Sequence, residues 1–172
     1  MAAAQTISLR RAAEVSNVFV LLLGISMVAP LLRLPQLITG SIVNATLLVT
    51  AVVLGPRAAI SVGILPSLFA VMSGQLPPAL VPLVPLIMVG NTLLVSVFHV
   101  VRQRGWWVGV AAASVVKFCW LFGATSLLVL ATGLLPGPAA VLALGVMGWP
   151  QLVTALCGGV IAFAVLGPAR RR

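Results

Sequence analysis

Lys117, Asn44 and Asn91 each interrupt a long run of apolar residues. A charged or amide side chain inside a membrane helix is costly, and such residues commonly mark a site or a path for a solute. The ammonium group of Lys117 could bind an anionic ligand or couple helices during transport. The structural alternatives are snorkelling of Lys117 towards lipid headgroups and hydrogen bonding of each asparagine between helices.

The chain contains few other side chains that could do chemistry. Glu14 is its single acid, His99 is its single histidine, and tyrosine is absent. Paired carboxylates and a Ser-His-Asp triad therefore cannot be built. Cys119 and Cys157 lie in separate apolar runs without a C-x-x-C spacing, and we expect both to be small buried residues. We expect no enzyme, no metal site and no cofactor.

Composition places the chain in a lipid bilayer. Hydrophobic residues make up 62 % of it and charged residues 6 %, with a mean hydropathy of +1.26, whereas soluble domains are roughly a quarter charged. The net charge of +9 would suit a nucleic acid. The basic residues are thinly spread beside apolar runs, however, so positive-inside topology explains them better. We therefore expect membrane lipid and no nucleic acid as a partner.

Six apolar stretches predict an all-α integral membrane protein, a compact bundle of six transmembrane helices in the single domain 1–172. The first stretch is not expected to be a signal peptide, because no small-residue cleavage site follows it. Pro66 should kink the short third helix, and Trp106 and Trp107 should lie at the membrane interface. The predicted spans are 15–32, 36–54, 58–73, 83–101, 108–133 and 149–167.

Two connections are expected to be irregular. Four prolines within residues 77–85 are incompatible with a regular helix and predict a cap or a re-entrant loop. Residues 139–148, which follow two further prolines, are expected to lie partly in the membrane interface.

Basic residues predict the orientation of the bundle. With both the N- and C-termini cytoplasmic, the inner regions hold eight arginines and the outer connections hold only Arg33. Lys/Arg-rich connections stay in the cytoplasm, so this arrangement is strongly favoured. The eight are Arg10, Arg11, Arg57, Arg102, Arg104, Arg170, Arg171 and Arg172.

Polar and aromatic residues gather in the outer half of this predicted bundle, beneath the proline-rich segment. Lys117 falls near mid-membrane, because it lies about ten residues from the inner end of its helix at 1.5 Å per residue. We expect a small-molecule pocket that is open to the outside. The predicted pocket residues are Asn44, Gln75, Asn91, Lys117, Trp149 and Gln151, with Gln36, Thr39 and Thr154 in the same region.

Small residues spaced four apart allow close approach of helix backbones in lipid. They can serve packing inside the bundle or docking of a partner membrane protein. The pairs are Ala51/Gly55, Ala59/Gly63, Ala155/Gly159 and Gly158/Ala162.

With these features the chain resembles the S components of energy-coupling factor (ECF) transporters, the substrate-binding membrane subunits. Three stretches carry the resemblance over most of the chain: ITGSIVNA at 38–45 with LGP at 54–56, GQLPP at 74–78 with PLIMVGN at 85–91, and WPQLVTA at 149–155 with the glycine pair at 158–159.

The resemblance implies a bacterial or archaeal cell-membrane subunit that captures a vitamin-like solute or a metal ion from outside. Such subunits join a transmembrane coupling subunit and two cytoplasmic ATPase subunits. The chain itself lacks a G-x-x-x-x-G-K-[ST] loop. Family members commonly dock through an Ala-x-x-x-Ala stripe on helix 1. That helix offers Ala12, Ser16 and Gly24 here, so action without partners stays open.

Two expectations about the solute follow. The N-terminal residues lack metal ligands, which favours an organic solute over a metal ion. A membrane-embedded Lys117 without an acid partner favours a solute that bears a carboxylate or a phosphate. The alternative function is a non-transport membrane scaffold or assembly protein, in which the polar residues only pack helices.

Overall fold

The computed structural model describes residues 2–72, 78–133, 135 and 137–167, and every regular element within these ranges is helical. The predicted all-α fold is thus confirmed. The α-helices are α1 Ala2–Leu31, α2 Gln36–Val53, α3 Pro56–Met72, α4 Val84–Val101, α5 Trp106–Thr132, α6 Pro138–Met147 and α7 Trp149–Leu166, and short 3₁₀ helices cover Pro78–Leu83 and Arg102–Arg104.

Five segments of the described chain are long and apolar enough to cross a membrane, as expected of a multi-pass membrane protein. A perpendicular helix needs about 20 apolar residues to do so. The helix that contains Pro66 is shorter, with an apolar part at Pro56–Phe69. The five segments are Ala12–Leu31, Gln36–Val53, Leu80–Arg104, Trp106–Thr132 and Pro138–Leu166.

Helix α1 starts at Ala2, well before the predicted span at residue 15. Residues 2–14 contain neither proline nor glycine and are rich in alanine and arginine, which favour helix. α1 packs mainly against α2 and α3. The side chains that it buries there include Leu22, Ser26 and Ala29. It therefore lies at the side of the bundle.

The proline-rich connection is only partly described, because residues 73–77 lie outside the described ranges. From Pro78 the chain forms a 3₁₀ helix that contains Pro82. α4 then begins with Pro85 in its first turn, where the missing N–H costs least.

Residues 138–147 form a helix that the sequence did not predict. This helix, α6, buries Ala143 and Met147 in a small apolar cluster with Leu121 of α5. Gly148, with φ −84° and ψ −139°, separates α6 from α7. Ten residues are too few for a span, so hydropathy alone gave no signal for α6.

The centre of the bundle is built by close approach of α7 to α2 and α5. Gly158 and Gly159 face these neighbours, since a Cβ at position 158 would lie 2.6 Å from the Asn44 Cβ. Ala155 and Ala162 are fully buried on the same helix. Small residues here serve packing within the chain.

The two tryptophans differ from each other in exposure, and both cysteines differ from their expected environment. Trp106 is 7 % exposed and packs edge-on against Phe98, with ring centroids 5.1 Å apart. Trp107 is half exposed. Cys119 and Cys157 are free and exposed, contrary to the expected burial, because they lie on the outward faces of α5 and α7.

Candidate solute site around Lys117

Lys117 reaches into the bundle from α5. Its side chain is 3 % exposed. Nζ donates hydrogen bonds to Oδ1 of Asn44 on α2 at 2.7 Å and to Oδ1 of Asn91 on α4 at 2.8 Å. Both distances are typical of charge-assisted N–H···O bonds. The ammonium group is therefore held between three helices and does not snorkel to a surface.

The amide of Asn44 is oriented by α7. Asn44 Nδ2 donates to Thr154 Oγ1 at 3.2 Å, and Thr154 Oγ1 in turn donates to the Gln151 carbonyl at 3.1 Å. Because Nδ2 is engaged on the α7 side, Oδ1 is left to face Lys117. Asn44 and Thr154 are each 1 % exposed.

The amide of Asn91 is oriented by α3. Asn91 Nδ2 donates to the Gly63 carbonyl at 2.9 Å, which turns Oδ1 towards Lys117. A Cβ at Gly63 would lie 3.1 Å from the Asn91 Cβ, so glycine allows this close approach.

Pro66 lies within α3 close to the site and removes one backbone donor from the helix. The carbonyl four residues earlier belongs to Val62. It accepts a hydrogen bond from Ser26 Oγ of α1 at 3.4 Å. A neighbouring helix thus compensates for the proline, as membrane helices require.

A cavity of about 190 Å³ lies beside Lys117. At roughly 30 Å³ per molecule, this equals the liquid volume of about six waters. Most of the wall is apolar, and five polar residues interrupt it. The lining residues are Pro30, Gly40, Val43, Asn44, Gly63, Pro66, Ser67, Val84, Ile87, Asn91, Lys117 and Gln151.

Three polar groups in the cavity wall have unused hydrogen-bonding capacity within the described chain. The Lys117 ammonium has three donors and uses two. Gln151 donates through Nε2 to the Val146 carbonyl at 3.1 Å, which leaves Oε1 without a donor among the described residues. The Ser67 hydroxyl also has no partner there. These groups can bind a polar solute.

The ammonium charge has no acidic side chain near it. Glu14, the only acid of the chain, is exposed on α1. Pro30 of the same helix lines the cavity, and at 1.5 Å per residue the 16 positions between them span about 24 Å. Among the described residues, neutral amide oxygens alone solvate the ammonium group.

The structure brings four of the predicted pocket residues together around this cavity: Asn44, Asn91, Lys117 and Gln151. Trp149 is not among them, since it is 64 % exposed at the start of α7. Gln75 lies outside the described residues.

Two other residues of the predicted outer polar region do not line the cavity and donate to backbone carbonyls instead. Gln36 Nε2 donates to the Val146 carbonyl at 2.7 Å, and Thr39 Oγ1 donates to the Leu34 carbonyl at 3.2 Å. Gly63 and Ser67 were missed by the sequence-based prediction. A backbone carbonyl and a single serine in an apolar run give no distinctive signal.

The three predicted docking residues all lie on α1. Ala12 and Ser16 are exposed, and Gly24 is half-buried. Gly24 belongs to an apolar groove formed mainly by α1 residues such as Val20, Ile25 and Val28. Ala12 lies in the first half of α1, Ser16 near its middle and Gly24 in its second half.

The fold and the site define a multi-pass helical membrane protein with a buried, hydrogen-bonded lysine beside a partly open cavity. Comparisons with family models, with curated proteins and with solved structures found no match to this chain.

Proposed function

We propose that this protein is the substrate-binding S component of an ECF-type transporter. In this role it captures a small vitamin-like organic solute from outside a bacterial or archaeal cell for ATP-driven uptake. The observation that supports the proposal is the cavity beside Lys117, whose wall carries polar groups that the described chain leaves unsatisfied.

The buried charge argues for a ligand site. A lysine at the centre of a membrane helix costs about 2.5–3.5 kcal/mol on insertion scales. Helices can be joined at lower cost by apolar packing, since buried ionic groups are weak contributors to stability. A cationic donor that keeps one free N–H beside a cavity is better suited to binding than to packing.

The position of the cavity agrees with the proposed direction of capture. Its lining residues occur late in α1 and α3 but early in α2, α4 and α7, so they share one end of the bundle. The arginine distribution favours that end as the outer one, with both termini in the cytoplasm. A bundle of six spans in this orientation, with α6 as an accessory helix, supports entry of an external solute into the cavity.

The proposed partners are a transmembrane coupling subunit and two cytoplasmic ATPase subunits. α1 is the proposed docking helix, through Ala12, Ser16 and Gly24. It packs mainly on α2 and α3, and large apolar side chains such as Val20 and Leu21 remain exposed on it.

A ligand screen tests the proposal directly. Thermal unfolding of the purified protein is measured with a panel of water-soluble vitamins and their precursors. A ligand at 100 times its dissociation constant should stabilise the folded state by about 2.7 kcal/mol. The variant Ile87→Trp, which fills the cavity, should lose the shift, whereas Leu127→Trp on the exposed surface should keep it.

The alternative is a membrane scaffold whose polar residues only join helices. The bonds from Asn91 to Gly63 and from Ser26 to Val62, which join separate helices, are the observation in its favour. Failure of every panel compound to shift unfolding, together with failure to co-purify an ATPase pair from native membranes, would support the scaffold.

A further inference from the structure

The Lys117 ammonium is the one charged group among the described residues of the cavity wall. Two of its N–H groups are bound to Asn44 and Asn91, and the third has no hydrogen-bond partner among the described residues. The side chain is almost completely buried in the protein but lines a cavity that is large enough for several waters. A solute that displaces water from the cavity must therefore supply an acceptor for this N–H, because an unsatisfied buried donor is unfavourable.

The two asparagines direct their Nδ2 groups away from Lys117. These groups donate to Thr154 Oγ1 and to the Gly63 carbonyl. The second N–H of each amide and the Ser67 hydroxyl are neutral donors. Lys117 is therefore the only residue of the described cavity wall that can meet an anionic group with a full positive charge.

The net charge of the cavity wall determines which net charge on a ligand is favoured. One positive charge without an acidic counterpart repels a cation and balances one negative charge. The rest of the wall, including Pro30, Val43, Pro66, Val84 and Ile87, favours an apolar body.

From this geometry we propose, on the basis of the proposed function, that the solute is a small monoanion with an apolar body. Its negative group accepts the third N–H of Lys117, and its body lies against the apolar wall between α1, α3 and α4. Binding completes the hydrogen bonds of the ammonium and supplies the countercharge that the chain lacks.

The test uses three probes that share one ring and differ in charge: benzoate, benzamide and benzylammonium. Thermal unfolding of the purified wild-type protein is followed at rising probe concentration and constant ionic strength. Benzoate should stabilise the protein, with at least a tenfold higher affinity than benzamide, because a hydrogen bond between charged groups is stronger than one to a neutral amide. Benzylammonium should give no shift.

Variants at position 117 test whether the benzoate shift depends on the Lys117 side chain. Lys117→Met should lose the benzoate shift, and Lys117→Arg should retain part of it, since it keeps the charge. Equal shifts from benzoate and benzamide would overturn the monoanion inference while supporting a solute site. No shift from any probe would also overturn it, and the vitamin panel would then decide the proposed function separately.

A lipid headgroup is the other source of an anion in a membrane. Phosphatidylglycerol added to the detergent-solubilised protein should leave the benzoate affinity unchanged. A Lys117-dependent stabilisation by this lipid that abolishes the benzoate shift would overturn the assignment to a soluble monoanion.

Discussion

Gly158 of α7 lies directly against Asn44 of α2, so close that a Cβ atom at position 158 would be 2.6 Å from the Asn44 Cβ and 2.8 Å from the Ala45 backbone nitrogen. Real Cβ atoms essentially never approach other atoms so closely. The contact sets how closely α7 approaches α2 at Asn44, the residue whose side chain reaches Lys117 on α5. It thereby connects the small-residue packing of the bundle to the hydrogen bond between Asn44 and Lys117.

Gly158→Ala is expected to lower both stability and ligand affinity. The added methyl group meets backbone as well as side-chain atoms, so α2 and α7 must separate, and such overpacking typically costs about 1–3 kcal/mol. The measurement is thermal unfolding in detergent, together with the benzoate titration. Gly123→Ala is the matched control, because a Cβ added at position 123 would have no neighbour within 4 Å among the described residues. Equal stability of the two variants would contradict the tight contact.

Asn44→Asp and Asn91→Asp should differ in stability although both place a carboxylate beside Lys117. At position 44 the lost donor faces Thr154, whose hydroxyl can rotate to donate to the carboxylate. At position 91 it faces the Gly63 carbonyl, which can only accept. We expect Asn91→Asp to be less stable by about 1–3 kcal/mol, the cost of an unsatisfied buried polar group.

Both variants should also lose benzoate binding, since the chain then supplies its own countercharge. Thermal unfolding and benzoate titration measure the two effects. Asn17→Asp, on the exposed face of α1, changes the net charge equally and serves as the control. Retention of benzoate binding by both site variants would show that the anion binds elsewhere.

Thr154→Val should destabilise the protein more than Thr46→Val. Both residues are buried, and valine closely matches the shape of threonine. The Thr154 hydroxyl accepts the bond that orients Asn44, whereas the Thr46 hydroxyl only donates to the Ile42 carbonyl of its own helix. Loss of the Thr154 hydroxyl leaves the buried Nδ2 donor of Asn44 unpaired, which costs about 1–3 kcal/mol of stability. Equal unfolding temperatures of the two variants would show that Thr154 does not position Asn44.

The ends of a helix could be predicted where polar residues or prolines lie on both sides of an apolar run. The predicted ranges 36–54, 83–101 and 149–167 end within one residue of α2, α4 and α7. α1 and α6 could not be predicted in the same way. A helix that continues through polar residues leaves no break in hydropathy at its start, and a ten-residue helix is shorter than any span.

For the site, residue chemistry identified Lys117, Asn44 and Asn91, since polar groups in lipid need partners. Their mutual contacts could not be predicted, because the rotation of each helix is set by packing. The orientation of Asn91 depends on the Gly63 carbonyl, a backbone atom that any residue would supply. Trp149 was misplaced because its position at the start of α7 does not reveal which way its ring points.

The orientation of the bundle in the membrane decides which side of the bilayer the cavity serves. Single cysteines replace Arg33, Arg57 or Arg104 in a chain whose Cys119 and Cys157 are changed to serine; the three arginines are exposed. Because eight of the nine arginines are assigned to the inner side, a membrane-impermeant maleimide added to intact cells should label only the cysteine at position 33.

After the cells are opened, the cysteines at positions 57 and 104 should also react, which controls for their accessibility. Labelling of position 104 in intact cells would show that the protein has the opposite orientation. The cavity would then face the cytoplasm, and capture of an external solute could not be its function.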